Sequence, residues 1–174
     1  DQAALELVHE TMEQIQWNLI NASCELAEEK GPCEKFQDTK YAKGLLPIDW
    51  YKKDVDELLK PEYNMDWEGL RERIKEHGLR HSTLSAIMPC ESSSVIQNST
   101  NGIEPVRSLL IHKKAKNGVL KQLVPNYRMR KNYYTLAWDI SDNKTIINMA
   151  AVIQKFVDMS MSTNLYYNSY LSYC

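Results

Sequence analysis

The sequence predicts a helix-rich α/β chain with one strand and one β-hairpin, too little sheet to enclose a core with helices on both faces. Three observations predict it. Apolar residues recur at helical spacing over 2–30 and again over about 145–163. A run with strand character, 79–88, ends at Pro89. Asn117-Gly118 lies between two β-type runs, the strongest short signal for a hairpin.

In chain order, Leu5, Val8, Met12, Ile15, Leu19 and Leu26 define one long amphipathic helix over 2–30, stopped by Gly31-Pro32. A loop runs through Lys43-Gly44. Residues 49–59 are predicted helical, with Val55, Leu58 and Leu59 inward. Asp66 is placed to cap a helix over 67–77, and Gly78 to end it. The strand 79–88 carries Ser82, Thr83 and Ser85 among its apolar residues, which suits a strand lining a wet site. After Pro89 comes a short helical segment. Ser108–His112 and Val119–Val124 form the hairpin arms, flanked by Lys113, Lys114, Lys116 and Lys121 as a solvated edge. Ile146, Met149, Ala150, Ile153, Phe156 and Val157 mark the last helix, over about 145–163. The tail is tyrosine-rich and has no clear period.

Composition excludes several classes. The 174 residues carry 21 basic and 23 acidic side chains, a formal net charge of −2, so charge gives no case for a nucleic-acid partner. No stretch approaches about eighteen consecutive apolar residues, so no membrane span is expected. No basic-then-apolar start is present, hence no secretory signal, and no initiating Met. Cys24, Cys33, Cys90 and Cys174 form no Cys-x-x-Cys pair, and no His stands at metal-ligand spacing from them, so no metal is expected. Reduced thiols in a cytoplasmic protein are the expectation. The Asn21, Asn98 and Asn143 tripeptides fit the glycosylation pattern, which carries no weight without a secretory route.

The most informative run is His77 to Ser94. It delivers a strand to Pro89 and then to Cys90-Glu91-Ser92-Ser93-Ser94. A helix's first turn has N–H groups without intrahelical acceptors and partial positive charge from the macrodipole. Proline suits the first helical position, and serine is a favoured cap. A strand that carries such a turn to a sheet rim makes an anion seat. The plainer reading is a cap that binds nothing.

The continuation, Val95 to Arg107, holds Asn101-Gly102-Ile103-Glu104-Pro105. Together these runs resemble the large, catalytic subunit of class I ribonucleoside-diphosphate reductase. There a Gly-Leu-Arg-Asn-Ser-Thr-Leu-like strand enters a Pro-x-x-[Ser/Thr]-[Ser/Thr] turn, followed by Asn-Gly-Ile-Glu-Pro. Trp67, Leu70, Gly78 and Leu79 are similar to the upstream part of that signature. Glu25–Glu34, Tyr41–Asp49 and Gln154–Asn164 resemble further segments in the same order. The resemblance implies that residues 1–174 are a slice of that family's ten-stranded α/β barrel domain, incomplete alone.

The resemblance also implies the chemistry. The substrate's phosphates would be held by Cys90, Glu91, Ser92 and Ser93. Ser92 and Ser93 match the family pattern. Cys90 stands where Ser or Thr is common, and a thiol is a weaker donor. Glu91 would contribute its backbone N–H with its carboxylate turned outward. The complete enzyme would reduce ribonucleoside diphosphates to deoxyribonucleotides by a radical mechanism. It would need the remaining large-subunit segments, a radical-generating di-iron small subunit, ATP or dNTP effectors, and thioredoxin or glutaredoxin as reductant. No cofactor is expected on this segment.

Rival readings follow from the same residues. Cys90 at a helix start could be a nucleophile, but a Cys-x5-Arg loop would need Arg where Ile96 stands. Tyr166-Tyr167 resembles the family's radical pair, yet follows the Gln154–Asn164 run too closely, so both are read as structural. His81 is read as a hydrogen-bonding residue, and His9, His77 and His112 as solvated or interface residues. The family's Asn-Leu-Cys-x-Glu radical-cysteine motif and its partner cysteines do not occur, so no catalytic residue is assigned here. A non-enzymatic α+β interaction module is the alternative from another class.

Overall fold

A computed structural model describes residues 2–60, 62–115 and 118–167. The chain divides into two compact units, Asp1–Ile87 with Asn148–Met161, and Met88–Ile147 with Ser162–Cys174.

The first unit is helical. α1 (Gln2–Lys30) matches its predicted bounds, and Gly31 N–H closes it onto Ala27 O at 2.8 Å. Its buried stripe is His9, Glu13, Gln16, Ile20, Ser23, Cys24 and Ala27, whereas Ile15 and Leu19 remain exposed. The apolar period therefore located the helix but not its inward face. α2 (Pro47–Trp50) opens with Asp49 Oδ2 accepting from Leu46 N–H at 2.7 Å. α3 (Trp67–His77) is capped by Asp66, whose Oδ1 accepts from Gly69 N–H at 2.9 Å. It ends at Gly78, as predicted, with φ +75°; a Cβ there would meet Pro32 Cβ at 2.8 Å, so only glycine fits. Ile20, Cys24, Phe36, Tyr41, Leu46, Trp67, Leu70, Ile74, Leu79 and Phe156 share one apolar core.

Three predicted elements differ. The helix expected over 49–59 is the single turn of α2 and a 3₁₀ turn at Lys53–Glu57. Tyr51 is extended between them, its O–H bonded to Asp56 at 2.9 Å, and Val55, Leu58 and Leu59 are only half-buried. A segment this short has little helical stability of its own. Residues 79–88 form no ladder with any described residue; a strand needs a neighbour to satisfy its backbone. The segment is instead held by irregular bonds. Leu79 O accepts from Cys33 N–H at 2.9 Å, and Arg80 N–H donates to Ser23 O at 3.0 Å.

The third difference is α6 (Lys144–Gln154), which stops well short of 163. Gln154 Nε2 donates to Val157 O and Met159 O at 3.2 and 3.0 Å, and its Oε1 accepts from Met161 N–H at 2.8 Å. Asp158 N–H and Met159 N–H donate to Ser85 Oγ and Ser85 O. Those amides therefore bond outside the helix, and the helix ends.

The second unit contains α4 (Glu91–Ile96), the antiparallel pair β1 (Leu110–Ala115) and β2 (Gly118–Leu123), and α5 (Tyr127–Arg130). The hairpin forms as predicted, while Lys116-Asn117 at its tip lie outside the described residues. A small core joins Ala137, Ile146 and Tyr166, with Ile140 packed against it.

Candidate anion-binding turn

Pro89 leads into α4, and Cys90 occupies its N-cap at φ −88°, ψ −6°. Cys90 N–H donates to Asn101 O at 2.7 Å, which ties the turn to the Asn101-Gly102-Ile103-Glu104 loop. That amide is therefore spent. Ser93 N–H donates to Cys90 O at 3.0 Å. Glu91 and Ser92 hold the first-turn N–H groups that lack an intrahelical acceptor by position. The side chains of Ser92 and Ser93 are exposed, and Ser94 is buried. The Cys90 thiol is exposed and lies 3.7 Å from Met88 O. The Glu91 side chain lies outside the described residues. Of the four predicted cradle residues, Ser92 and Ser93 thus offer hydroxyls, Glu91 offers backbone, and Cys90 braces the loop.

The loop that follows is pinned by Glu104. Its Oε1 accepts from Asn164 N–H at 2.7 Å and Asn164 Nδ2 at 2.8 Å, and its Oε2 accepts from Tyr166 O–H at 2.7 Å. Partial burial pushes the Glu104 carboxyl up, but the bonds from Asn164 and Tyr166 and the Arg107 charge outweigh it and hold the carboxyl below its ordinary range. Burial and the Glu104 bond push the Tyr166 phenol up. Tyr166 is 7% exposed and stacks edge-on against Trp138, which agrees with a structural reading. Tyr167 is 71% exposed and packs on little.

Sequence reasoning missed a polar cluster in the first unit. Glu13 is wholly buried, and its carboxylate accepts from Asn64 N–H, Met65 N–H and Trp67 Nε1–H at 2.9–3.0 Å. Asp158 accepts from Leu84 N–H at 2.6 Å, Ser85 N–H at 3.3 Å, Gln16 Nε2 at 3.2 Å and Tyr41 O–H. It holds the extended segment that runs on to Pro89. The buried Lys155 lies 3.4 Å from Asp56 and over the Tyr51 and Tyr63 rings. His9, expected to be solvated or at an interface, is 4% exposed between Tyr63 and Phe156. The available signal was a Glu, a Gln and a His spaced three or four residues apart within the apolar period of α1. His81 is hydrogen-bonded as expected, its Nδ1 lying 3.0 Å from Ser23 Oγ. Among the described residues no group of His, Cys, Asp and Glu is arranged to hold a metal ion, and no helix is long and apolar enough to cross a membrane.

Comparison with known proteins is consistent along the chain. A family model described as the ribonucleotide reductase barrel domain matches residues 1–173. The chain is 53% identical over 168 residues to the ribonucleoside-diphosphate reductase subunit alpha of Buchnera aphidicola subsp. Baizongia pistaciae, covering 97% of this chain and 22% of that protein. It is 49% identical to ribonucleoside-diphosphate reductase 1 subunit alpha of Escherichia coli K12 over the same shares. To the subunit alpha of Enterobacteria phage T4 it is 46% identical, covering 95% of this chain and 22% of that protein. The chain thus spans about a fifth of the length of these relatives.

Proposed function

Because this chain belongs to the ribonucleotide reductase barrel-domain family, we propose that it is a slice of a ribonucleoside-diphosphate reductase large subunit, and that its α4 turn seats the substrate's diphosphate. The observation that carries this is the exposed Ser92 and Ser93 pair at the start of a helix that follows Pro89. In this reading the two hydroxyls and the Glu91 and Ser92 amides bind the phosphates, at a helix start where an anion is favoured. Cys90 N–H donates to Asn101 O and so ties the turn to the loop that follows it. The Cys90 side chain adds little, since a thiol donates weakly.

In this reading the chemistry that replaces the ribose 2′-hydroxyl by hydrogen is supplied elsewhere in the assembled enzyme. The remaining large-subunit segments, a di-iron small subunit, ATP or dNTP effectors, and thioredoxin or glutaredoxin are its partners. This segment binds and orients the substrate. Its expected place is the cytoplasm.

The test is Ser92→Ala with Ser93→Ala in the assembled enzyme. Each hydrogen bond to a charged phosphate is worth about 1.5–3 kcal/mol. The double variant should raise KM for nucleoside diphosphates with little change in kcat. An unchanged KM would remove the turn from the substrate site.

A further inference from the structure

The second unit carries a charge asymmetry that the anion turn does not use. Between Glu104 and Asp139 the sequence holds eight Lys and Arg residues and no Asp or Glu, in a chain whose formal net charge is −2. The hairpin register decides where part of that charge lies. Leu110 pairs with Leu123, His112 with Lys121, and Lys114 with Val119. Alternate strand residues share a face, so these six lie together on one side of the hairpin. All six are exposed. Along it Leu110 and Leu123 form an aliphatic row, His112 and Lys121 a basic row, and Lys114 and Val119 a mixed row, with successive rows about 6.5–7 Å apart.

Leu123 on this face also lines a trough of about 340 Å³, together with Asn98, Val124, Asn126, Tyr127, Arg128 and Met129. Met129 is 83% exposed. None of His112, Lys114, Lys121 and Arg128 forms an ion pair with a described residue. His112 and Lys121 stand directly opposite each other with no carboxylate between them, an arrangement that weakens a sheet when both are charged. β1 and β2 each pair on one side only among the described residues, which leaves outer backbone edges open to an added strand.

We propose that this hairpin face and its trough form a docking surface for an extended acidic peptide segment of a protein partner. On the peptide face turned to the hairpin, an aliphatic side chain meets Leu110 and Leu123, carboxylates two and four residues further on meet His112, Lys121 and Lys114, and one bulky apolar side chain fills the trough beside Arg128. The spacing of these rows is what selects a peptide. A strand laid along the hairpin presents side chains at the same spacing as the face beneath it. A nucleic-acid backbone would neutralise the cations but leave Leu110 and Leu123 without apolar partners, and none of the six face residues is Phe, Tyr or Trp.

The experiment uses the assembled large subunit containing this chain and fluorescence anisotropy with three labelled probes. They are a peptide repeating Leu-Ser-Glu-Ser-Glu-Ser, whose one face reads Leu, Glu, Glu, a peptide of the same composition with Leu and Glu in separate blocks, and a single-stranded oligonucleotide of matched length. The patterned peptide should bind most tightly. Lys114→Glu with Lys121→Glu should weaken it roughly tenfold, added salt should weaken it in wild type, and Met129→Ala should weaken it through the trough. Lys35→Glu with Lys43→Glu, exposed cations of the first unit, should leave it unchanged. Absence of binding, equal affinity for the block peptide, tighter binding of the oligonucleotide, or indifference to the Lys114 and Lys121 reversals would each overturn the proposal. The Ser92 and Ser93 variant should bind the peptide like wild type, so the fate of the substrate turn does not decide this test.

Discussion

The Glu104 carboxylate accepts the phenolic O–H of Tyr166 at 2.7 Å, and the same carboxylate accepts both the backbone and side-chain N–H of Asn164. Tyr166 therefore closes a polar clasp across 62 residues of sequence. Tyr166→Phe removes one charge-assisted bond and keeps the ring against Trp138. It should destabilise the second unit by about 1–3 kcal/mol, seen as faster amide exchange at Asn164 and Tyr166. Turnover of the assembled enzyme should stay within a few-fold. Tyr167→Phe should change neither, because that ring is 71% exposed. A radical relay would lose turnover almost wholly with either substitution; a loss beyond about a hundredfold, or about 2.7 kcal/mol of barrier, overturns the structural reading.

Glu13 offers a second measurement. Its Oε1 accepts from Asn64 N–H, Met65 N–H and Trp67 Nε1–H, and its Oε2 shares the Asn64 N–H at 3.1 Å. Glu13→Gln keeps a carbonyl oxygen for those donors and should be mild. Glu13→Ala leaves three buried donors without an acceptor, at about 1–3 kcal/mol each before relaxation, and opens a void. In the assembled large subunit, urea midpoints followed by amide exchange at Asn64 and Met65 should rank Ala far below Gln. Equal midpoints would show that the donors find other acceptors.

His9 predicts a pH dependence. Burial holds its pKa below the ordinary 6.5, the Lys155 charge pushes the same way, and Glu13 and Asp56 pull against them. Its Nε2 is buried without a hydrogen-bond partner. The folded state thus prefers the neutral ring that packs on Tyr63 and Phe156. As pH falls through 6.5, the unfolded chain takes up a proton that the folded chain resists. Stability present above 6.5 is then lost progressively until the pH passes the folded value. His9→Gln should flatten the stability profile in that window. Parallel profiles for the two proteins would assign the dependence to other groups.

Leu7, Ile15 and Leu19 of α1 are exposed, as is Ile96 at 83%. Exposed apolar residues on this scale bind hydrophobic dyes and promote association. The chain by itself should bind such a dye, be poorly soluble and show no reductase activity. Co-expression with the remaining large-subunit segments should suppress the dye binding. A monodisperse monomer of residues 1–174 that unfolds cooperatively would contradict this and favour an independent module.

The sequence by itself determined what local chemistry can decide. Asp66 and Gly78 bounded α3 because a cap and a left-handed stop act within a few residues. Asn117-Gly118 and the β-type runs beside it located the hairpin, and Pro89 with Ser92 and Ser93 located the turn. The ordered motifs, from Glu25 to Asn164, were enough to indicate the family. Tertiary structure alone decided which face of α1 is buried, because Glu13 is tolerated inside only where Asn64, Met65 and Trp67 bring three donors to it. It decided where α6 stops, because Ser85, distant in sequence, takes the amides of Asp158 and Met159. It also left 79–88 without a ladder among the described residues. Strand character is written in side chains, but a strand exists only when a neighbouring backbone completes its hydrogen bonds.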